Sequence, residues 1–288
     1  MHPGAPAPSV LCLGAVVQDT LAISHSPLQL GDDMPGTALV RPGGVATNIA
    51  LALARRGVHT SLAGAVGQDA IGQHLISALQ TARVDCTHLL QRPGTSDQVV
   101  TLENPDGERF AAVADCRQLD AAATEQPEAF ETAVRAWDGE IVLDGNLPAD
   151  LIARLLDAAQ HSAYLVPASR AKAAHLGAVI RDHRPALIVN LGEAAEILGG
   201  APANSRDAAE ALRQHGALEA AVTDGSATAA LATENDTVTA TPEQITRAST
   251  TGAGDAFVAG FVAAGHKTAR DRLASAMAAA AAHLRRDR

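Results

Sequence analysis

A run of small residues at 250–254 leads directly into Asp255 and a predicted apolar helix over residues 256–264. The free N–H groups in the first turn of a helix, together with the positive end of its dipole, attract anions, and glycines let a phosphate approach the backbone. Asp255 therefore has two interpretations. It either caps the helix, or it is a general base that takes the proton of a hydroxyl attacking a phosphoryl group. The motif favours the general base.

Gly43 and Gly44 precede a second predicted helix, over residues 46–56, and Asn48 lies in its first turn. Two glycines before a helix often form only an entry turn. They also let the backbone approach a polyhydroxyl substrate closely, where the Asn48 amide can both donate and accept hydrogen bonds. Both interpretations are compatible with the pattern.

Polar side chains follow two predicted strands, at the edge of a parallel sheet where open α/β proteins bind ligands. Asp19 lies five residues after a strand predicted at 10–14, and its carboxylate either accepts from substrate hydroxyls or is exposed in a loop. Asn190 and Glu193 follow a strand predicted at 186–189. They either hold a hydrated magnesium ion through oxygen ligands or form the N-cap and capping box of a helix. The spacing alone favours the cap.

Two other nucleotide-binding patterns are excluded. The stretch from Gly260 to Thr268 has the look of a P-loop, but His266 separates Gly265 from Lys267 and a helix precedes it. A P-loop needs adjacent Gly and Lys after a strand, so Gly265 is instead predicted to end that helix. No G-x-G-x-x-G follows the first strand, which argues against a nicotinamide-dependent dehydrogenase.

The elements that must position these residues alternate between apolar runs and helical patterns. This alternation predicts an α/β fold with a mainly parallel sheet covered by helices on both faces. The predicted strands are 10–14, 61–65, 141–143, 163–166, 186–189 and 220–223, with a hairpin over 227–241. The predicted helices are 46–56, 70–82, 149–159 and 203–215, followed by a long alanine-rich helical tail over 254–286.

Two stretches, residues 19–41 and 95–115, break the alternation. They contain extended segments at 37–40, 98–102 and 109–113, punctuated by Pro and Gly. These segments either pair as a small accessory sheet or form surface loops, and the pattern does not choose between them. If they form a sheet, its exposed edge could pair across a homodimer.

The composition bounds the class of protein. With 288 residues, of which 47% are hydrophobic and 19% charged, the chain can bury a sizeable core. A net charge of −10 argues against a nucleic-acid partner. Cys12, Cys86 and Cys116 lack C-x-x-C spacing, which is typical of reduced core thiols in the cytoplasm. Residues 1–9 hold no Lys or Arg, and no stretch approaches a membrane span, so neither a signal peptide nor a membrane partner is expected.

Three motifs, in this order, resemble those of the ribokinase-like, phosphofructokinase-B type carbohydrate kinase family: residues 43–50, residues 65–69 with Gly72, and residues 251–257. The match spans roughly residues 10–265. The resemblance implies one doubly wound kinase domain over 1–288 with a small β-sheet lid formed by about 19–41 and 95–115. It also implies phosphoryl transfer from ATP, with Mg²⁺, to a hydroxyl of a nucleoside or sugar.

The resemblance also implies roles for individual residues. The family's catalytic base and anion hole correspond to Asp255 and to Gly252, Ala253 and Gly254. The substrate-side positions correspond to Asp19, Gly43, Gly44 and Asn48. The ATP contacts correspond to Asn190, Thr223, Gly225, Gly252 and Gly254, and the residue near magnesium corresponds to Glu193. Ser249 stands where many members have Asp, which weakens the expectation of a monovalent cation site.

Residues 144–148 and 166–173 are similar to the pseudouridine kinase branch of that family. This similarity implies a nucleoside substrate, with Ser169, Lys172 and the lid residue Gln98 as candidate contacts to the base. A free sugar such as ribose or fructose is the alternative substrate. A non-catalytic ligand-binding protein on the same fold is an alternative of a different class, and Asp255 argues against it because a pure binder has no use for a base beside a phosphate.

Overall fold

The computed structural model describes residues 9–245 and 251–286. The strands are β1 (Ser9–Leu13), β2 (Val17–Ser24), β3 (Gly36–Gly43), β4 (His59–Gly67), β5 (Val84–Asp85), β6 (Leu89–Arg92), β7 (Gln98–Glu103), β8 (Arg109–Asp115), β9 (Glu140–Asp144), β10 (Ala163–Val166), β11 (Ala186–Asn190), β12 (Glu219–Thr223), β13 (Ala229–Ala232) and β14 (Thr237–Ala240). The helices are α1 (Val45–Ala54), α2 (Ala70–Thr81), α3 (Gln118–Glu125), α4 (Pro127–Ala136), α5 (Ala149–Ala158), α6 (Arg170–Ala173), α7 (Gly177–His183), α8 (Leu191–Leu198), α9 (Ser205–His215), α10 (Ala253–Val262) and α11 (Ala269–Arg286).

The main sheet has ten strands in the order β14-β13-β12-β11-β10-β9-β1-β4-β5, with β6 paired to β4. Strands β12 to β5 along this order are parallel, while β13 and β14 form an antiparallel edge. Side chains of β1 alternate between the two faces: Leu11 and Leu13 belong to one buried cluster, and Val10 and Cys12 belong to the other. Helices cover both faces because both faces are apolar. The predicted α/β fold is confirmed.

A separate small sheet is formed by β3, β2, β7 and β8, in that order. Its outer pairs are antiparallel, and the central pair β2–β7 is parallel. The interpretation of these stretches as loops is therefore wrong, and the accessory sheet is confirmed. The sheet leaves several large apolar side chains exposed to solvent. They are Leu39, Val40, Val100, Phe110 and Val113.

The predicted alanine-rich tail consists of two helices rather than one. Helix α10 ends at Val262, and Gly265 follows in the left-handed region at φ +57°. A new helix, α11, begins after Thr268, whose hydroxyl accepts the Asp271 N–H at 3.2 Å. The tail packs against the core, with Leu273, Ala276 and Ala279 buried. Because α10 leads into Gly265, the stretch at 260–268 lacks the preceding strand that a P-loop requires.

Residues 116–138 and 170–183, for which the sequence predicted no element, contain α3, α4, α6 and α7. The core-thiol prediction is correct for Cys12, which is buried, and wrong for Cys116, which is exposed; Cys86 is half-buried and all three are free. Within the described ranges, no helix combines the length and apolar character needed to span a membrane.

Candidate active site

The carboxyl ends of the central parallel strands meet the first turns of α1, α8 and α10 at one edge of the main sheet. Gly252 precedes α10 at φ +80°, a conformation that glycine adopts without strain. The N–H of Ala256 donates to the Gly252 carbonyl at 3.0 Å and is the first of the helical series. The N–H groups of residues 253–255 therefore lack intrahelical acceptors and point out of the helix start.

Asp255 lies in this first turn, half-buried, and its Oδ2 accepts a hydrogen bond from Asn48 Nδ2 at 2.9 Å. Burial raises the pKa of the Asp255 carboxyl to about 7, against the Asn48 hydrogen bond, which lowers it. The carboxylates of Asp144, Glu193 and Asp19 raise this pKa further. A carboxyl group that titrates near neutral pH is suited to general base catalysis.

Helix α1 is anchored by a residue that the sequence analysis did not single out as functional. Asp144 is fully buried at the end of β9, and its Oδ2 accepts the N–H groups of Ala15 at 3.0 Å and Ala46 at 3.3 Å. Its Oδ1 accepts both N–H and Nδ2 of Asn146, each at 2.9 Å. Asp144 thus fixes the start of the helix that carries Asn48. An Asp directly after a buried strand was the available signal.

The glycines before α1 are required by close approach. Gly44 has φ +99°, and a methyl group there would lie 2.8 Å from the carbonyl carbon of Ala15. A methyl group on Gly43 would lie 2.7 Å from Asp19 Oδ1, so the Asp19 carboxylate lies directly against this backbone. Asp19 belongs to β2 of the small sheet and not to a loop after β1. Burial raises the pKa of its carboxyl, while Arg41 lowers it.

A cavity of about 440 Å³, here called the substrate-side cavity, lies between the small sheet and the main sheet. Four of the predicted substrate residues, Asp19, Gly44, Asn48 and Ser169, line it. Among the described residues, no aromatic side chain lines it. Polar residues that the sequence analysis did not select also line it. They are Asp97, Arg109, Asp120 and Asn146.

Two further candidate base contacts lie elsewhere. Ser169 accepts the Lys172 N–H at 3.3 Å as the cap of α6, so Lys172 falls within the helix, is exposed, and does not line the cavity. Gln98 accepts a hydrogen bond from Gln18 at 3.4 Å and is likewise absent from the lining.

A second cavity of about 140 Å³, here called the phosphate-side cavity, adjoins the first and shares Val45 and Ala168 with it. Predicted residues from four elements, β11, α8, β12 and α10, line it. They are Asn190, Glu193, Thr223, Gly254 and Asp255. A methyl group on Gly254 would meet no atom within 4 Å, so the space over this helix start is open.

Asn190 and Glu193 form a complete capping box. The Asn190 side chain accepts the Glu193 N–H, and the Glu193 carboxylate accepts the Asn190 N–H, both at 2.9 Å. Burial raises the pKa of the Glu193 carboxyl. The cap predicted from the spacing is confirmed, and the pair lines the phosphate-side cavity as well.

Gly225 is exposed two residues after β12 and lines neither cavity. Ser249, which bears on the monovalent cation, lies outside the described residues. Within the described ranges, no group of three or more His, Cys, Asp or Glu side chains is arranged to hold a metal ion.

Comparison with known proteins gives a consistent result. Residues 7–287 match the family described as pfkB family carbohydrate kinase. The chain is 34% identical to a pseudouridine kinase of Escherichia coli over 151 residues, which is 51% of this chain and only 47% of that enzyme. It is 27% identical to a fructokinase of Salmonella typhimurium over 84% of this chain and 82% of that enzyme. A carbohydrate kinase from Agrobacterium tumefaciens has the same fold with a TM-score of 0.81 and 27% identity, covering 95% of this chain and 90% of that one.

Proposed function

The chain belongs to the pfkB family of carbohydrate kinases, ATP-dependent phosphotransferases that act on an alcohol group, and we propose that it phosphorylates a hydroxymethyl group of a nucleoside. The proposed reaction converts pseudouridine to pseudouridine 5′-phosphate. The observation that carries the chemistry is the Asn48–Asp255 pair, since Asn48 lines the substrate-side cavity and Asp255 lines the phosphate-side cavity.

In the proposed reaction, Asp255 accepts the proton of the substrate hydroxyl while that oxygen forms a bond to the terminal phosphorus and the bond to the ADP oxygen breaks. Asn48 holds Oδ2 of the carboxylate and leaves Oδ1 to take the proton. The N–H groups of residues 253–255 stabilise the negative charge on the transferring group, as backbone donors at a helix start do. Asp19 accepts from the sugar hydroxyls, since its carboxylate faces the substrate-side cavity.

The residues present fit nucleotide phosphates and magnesium. The open space over Gly254 admits a phosphate at the α10 start. Glu193 would hold Mg²⁺ through the carboxylate oxygen that the capping box does not use. One carboxylate suffices because Mg²⁺ usually keeps several waters and binds substrate phosphates. When bound, the ion neutralises charge on the phosphates.

Turnover should therefore require a divalent cation. Excess EDTA should abolish ADP release, and added Mg²⁺ should restore it. The Glu193→Gln variant keeps an acceptor for the Asn190 N–H but removes the negative charge, so it should need more Mg²⁺ for half-maximal rate. Undiminished turnover in EDTA would contradict the magnesium proposal, and an unchanged Mg²⁺ requirement in the variant would remove Glu193 from it.

The dependence of kcat/KM on pH should follow the titration of the Asp255 carboxyl. Because its pKa is raised to about 7, the carboxyl is protonated below that pH and cannot accept a proton, so kcat/KM should rise with pH through about 7 and then level off. The Asn48→Ala variant removes a hydrogen bond that lowers this pKa, so its profile should move to higher pH. The measurement is initial rate against pH at saturating ATP, and identical profiles for the two proteins would contradict the assignment.

The test of the function itself is ADP release from MgATP in the presence of nucleosides and free sugars. Release with a nucleoside supports the proposal. The fructokinase similarity favours a sugar kinase as the second candidate. A protein that binds these ligands without releasing ADP would instead be a non-catalytic binder on the same fold.

The small sheet is proposed to act as a lid over the substrate and as the interface of a homodimer. Its exposed apolar side chains include Val100 and Val113, which are paired across β7 and β8. An exposed apolar sheet of this kind is commonly covered by a partner. The free thiols favour the cytoplasm as the compartment.

A further inference from the structure

The phosphate-side cavity has an unbalanced charge. Its described lining contains two carboxylates, Asp255 and Glu193, and no Lys or Arg. A polyphosphate entering this cavity would add further negative charge at short range. Kinases offset this repulsion with bound magnesium and with a cationic side chain positioned near the phosphates.

Arg170 does not line this cavity but lies beside residues that do, and so at its rim. Arg170 is the first residue of α6, two positions after Ala168 of the cavity lining. Its guanidinium lies against Gly192, where an added methyl group would lie 2.7 Å from Arg170 Cζ. Gly192 lies between Asn190 and Glu193 in the first turn of α8. The absence of a side chain at this position is what lets the guanidinium lie there.

The hydrogen-bond donors of the Arg170 guanidinium are not used by other residues that the structure describes. Among the residues that the structure describes, no carboxylate lies within 4 Å of its guanidinium and no hydrogen bond engages it, in contrast to Arg272, which donates to Glu219 at 2.7 Å. Its charge acts on the cavity nonetheless, since it lowers the pKa of the Glu193 carboxyl against the larger effect of burial. An exposed guanidinium with its donors open, set near the Glu193 carboxylate, suits a phosphate group.

We propose that Arg170 binds the polyphosphate of the nucleotide by donating hydrogen bonds to its phosphate oxygens at the rim of the phosphate-side cavity. This inference rests on the proposed kinase function and adds a residue to it. The alternative is a structural role, in which Arg170 packs α6 against α8. The two roles predict different binding results. Loss of a phosphate contact would weaken the binding of ADP but not of adenosine, whereas loss of packing would affect both ligands alike.

The test is calorimetric binding of ADP, a non-hydrolysable ATP analogue and adenosine to the wild-type protein and to Arg170→Ala. We expect Kd for ADP and for the analogue to rise about tenfold or more, the effect of losing roughly one charged hydrogen bond, with adenosine affinity unchanged. Arg170→Lys should keep part of the affinity because it keeps the charge but loses the planar fork. Arg270→Ala, at an exposed position in α11, is the matched control.

Gly192→Ala provides a second route that leaves the charge in place. The added methyl group would displace the guanidinium, which is the flexible end of a side chain, and alanine is otherwise favourable in a helix. ADP affinity should fall in Gly192→Ala and should fall no further when this change is added to Arg170→Ala, since both remove one interaction. Gly200→Ala, where a methyl group meets nothing within 4 Å, should behave as wild type.

Unchanged ADP affinity in Arg170→Ala, or additive losses in the double variant, would overturn the assignment of Arg170. A parallel loss of adenosine affinity would overturn it in favour of packing. Because binding needs no turnover, wild-type protein that binds ADP through Arg170 but releases none from ATP would contradict the kinase function alone. Wild-type protein that binds no nucleotide would contradict both.

Discussion

The Asp255→Asn variant is expected to lose about 10²- to 10⁴-fold in kcat, the usual contribution of a positioned proton acceptor, with little change in ATP affinity. The substitution is nearly isosteric, and the amide oxygen can still accept from Asn48 Nδ2. Only the capacity to take the hydroxyl proton disappears. Steady-state kinetics with the best substrate, together with ATP-analogue binding, separate these quantities.

The same variant should not be less stable than wild type above neutral pH. A raised carboxyl pKa means that the folded state favours the neutral form, so the stability it provides is present at low pH and is lost as pH rises through about 7. Asparagine is neutral throughout. The difference between the Tm of Asp255→Asn and the Tm of the wild type should therefore increase from pH 5 to pH 8.

Asp236→Asn, in the exposed turn between β13 and β14, is the matched control and should change neither kcat nor the pH dependence of Tm. A loss in kcat below about threefold in Asp255→Asn would refute the catalytic assignment. A loss of activity accompanied by a lower Tm at every pH would instead point to a structural defect.

The sheet was predictable because its signals are local. Strand β10 occupies 163–166, as predicted, since a short apolar run between polar residues needs no distant partner to be recognised. The capping box at Asn190 and Glu193 is equally local. The helices at 118–136 were missed because the stretch mixes alanines with charges, and α3 has a weak apolar pattern. Helix α4 did carry local signals, with Pro127 at its start and Phe130, Ala133 and Val134 on one buried face.

The parts of the site that escaped prediction depend on contacts between distant residues. Asp144 binds backbone groups that lie 129 and 98 residues away, and nothing near it in the sequence reports this. Arg109 lines the substrate-side cavity because β7 and β8 are placed over it by the pairing of β2 with β7. Sequence motifs locate the start of a helix, but they do not determine the direction in which a side chain such as Lys172 points.

We expect the enzyme to prefer a nucleoside strongly over a free sugar. Pseudouridine should be phosphorylated with a kcat/KM up to about 10⁴-fold above that of free ribose or fructose, because a site built to bind polar groups leaves them unpaired when a smaller ligand lacks them. The substrate-side cavity offers such groups beyond the ribose contacts: Arg109, Asp120 and the Asn146 side chain. Asp144 accepts hydrogen bonds from the backbone N–H and from Nδ2 of Asn146, so the side-chain oxygen of Asn146 remains for a ligand.

Base recognition must depend on polar contacts because the part of the cavity lining that the structure describes has no aromatic side chain to stack on a base. Initial rates should be compared at equal, subsaturating concentrations of pseudouridine, uridine, adenosine, ribose and fructose. Pseudouridine offers one more base N–H donor than uridine, and the Asp120 carboxylate is a candidate acceptor for it. Asp120→Asn weakens that acceptor. The variant should therefore lower the ratio of nucleoside to sugar rates while leaving the sugar rates unchanged. A free sugar that outperforms every nucleoside would make the nucleoside proposal wrong and would favour the sugar kinase.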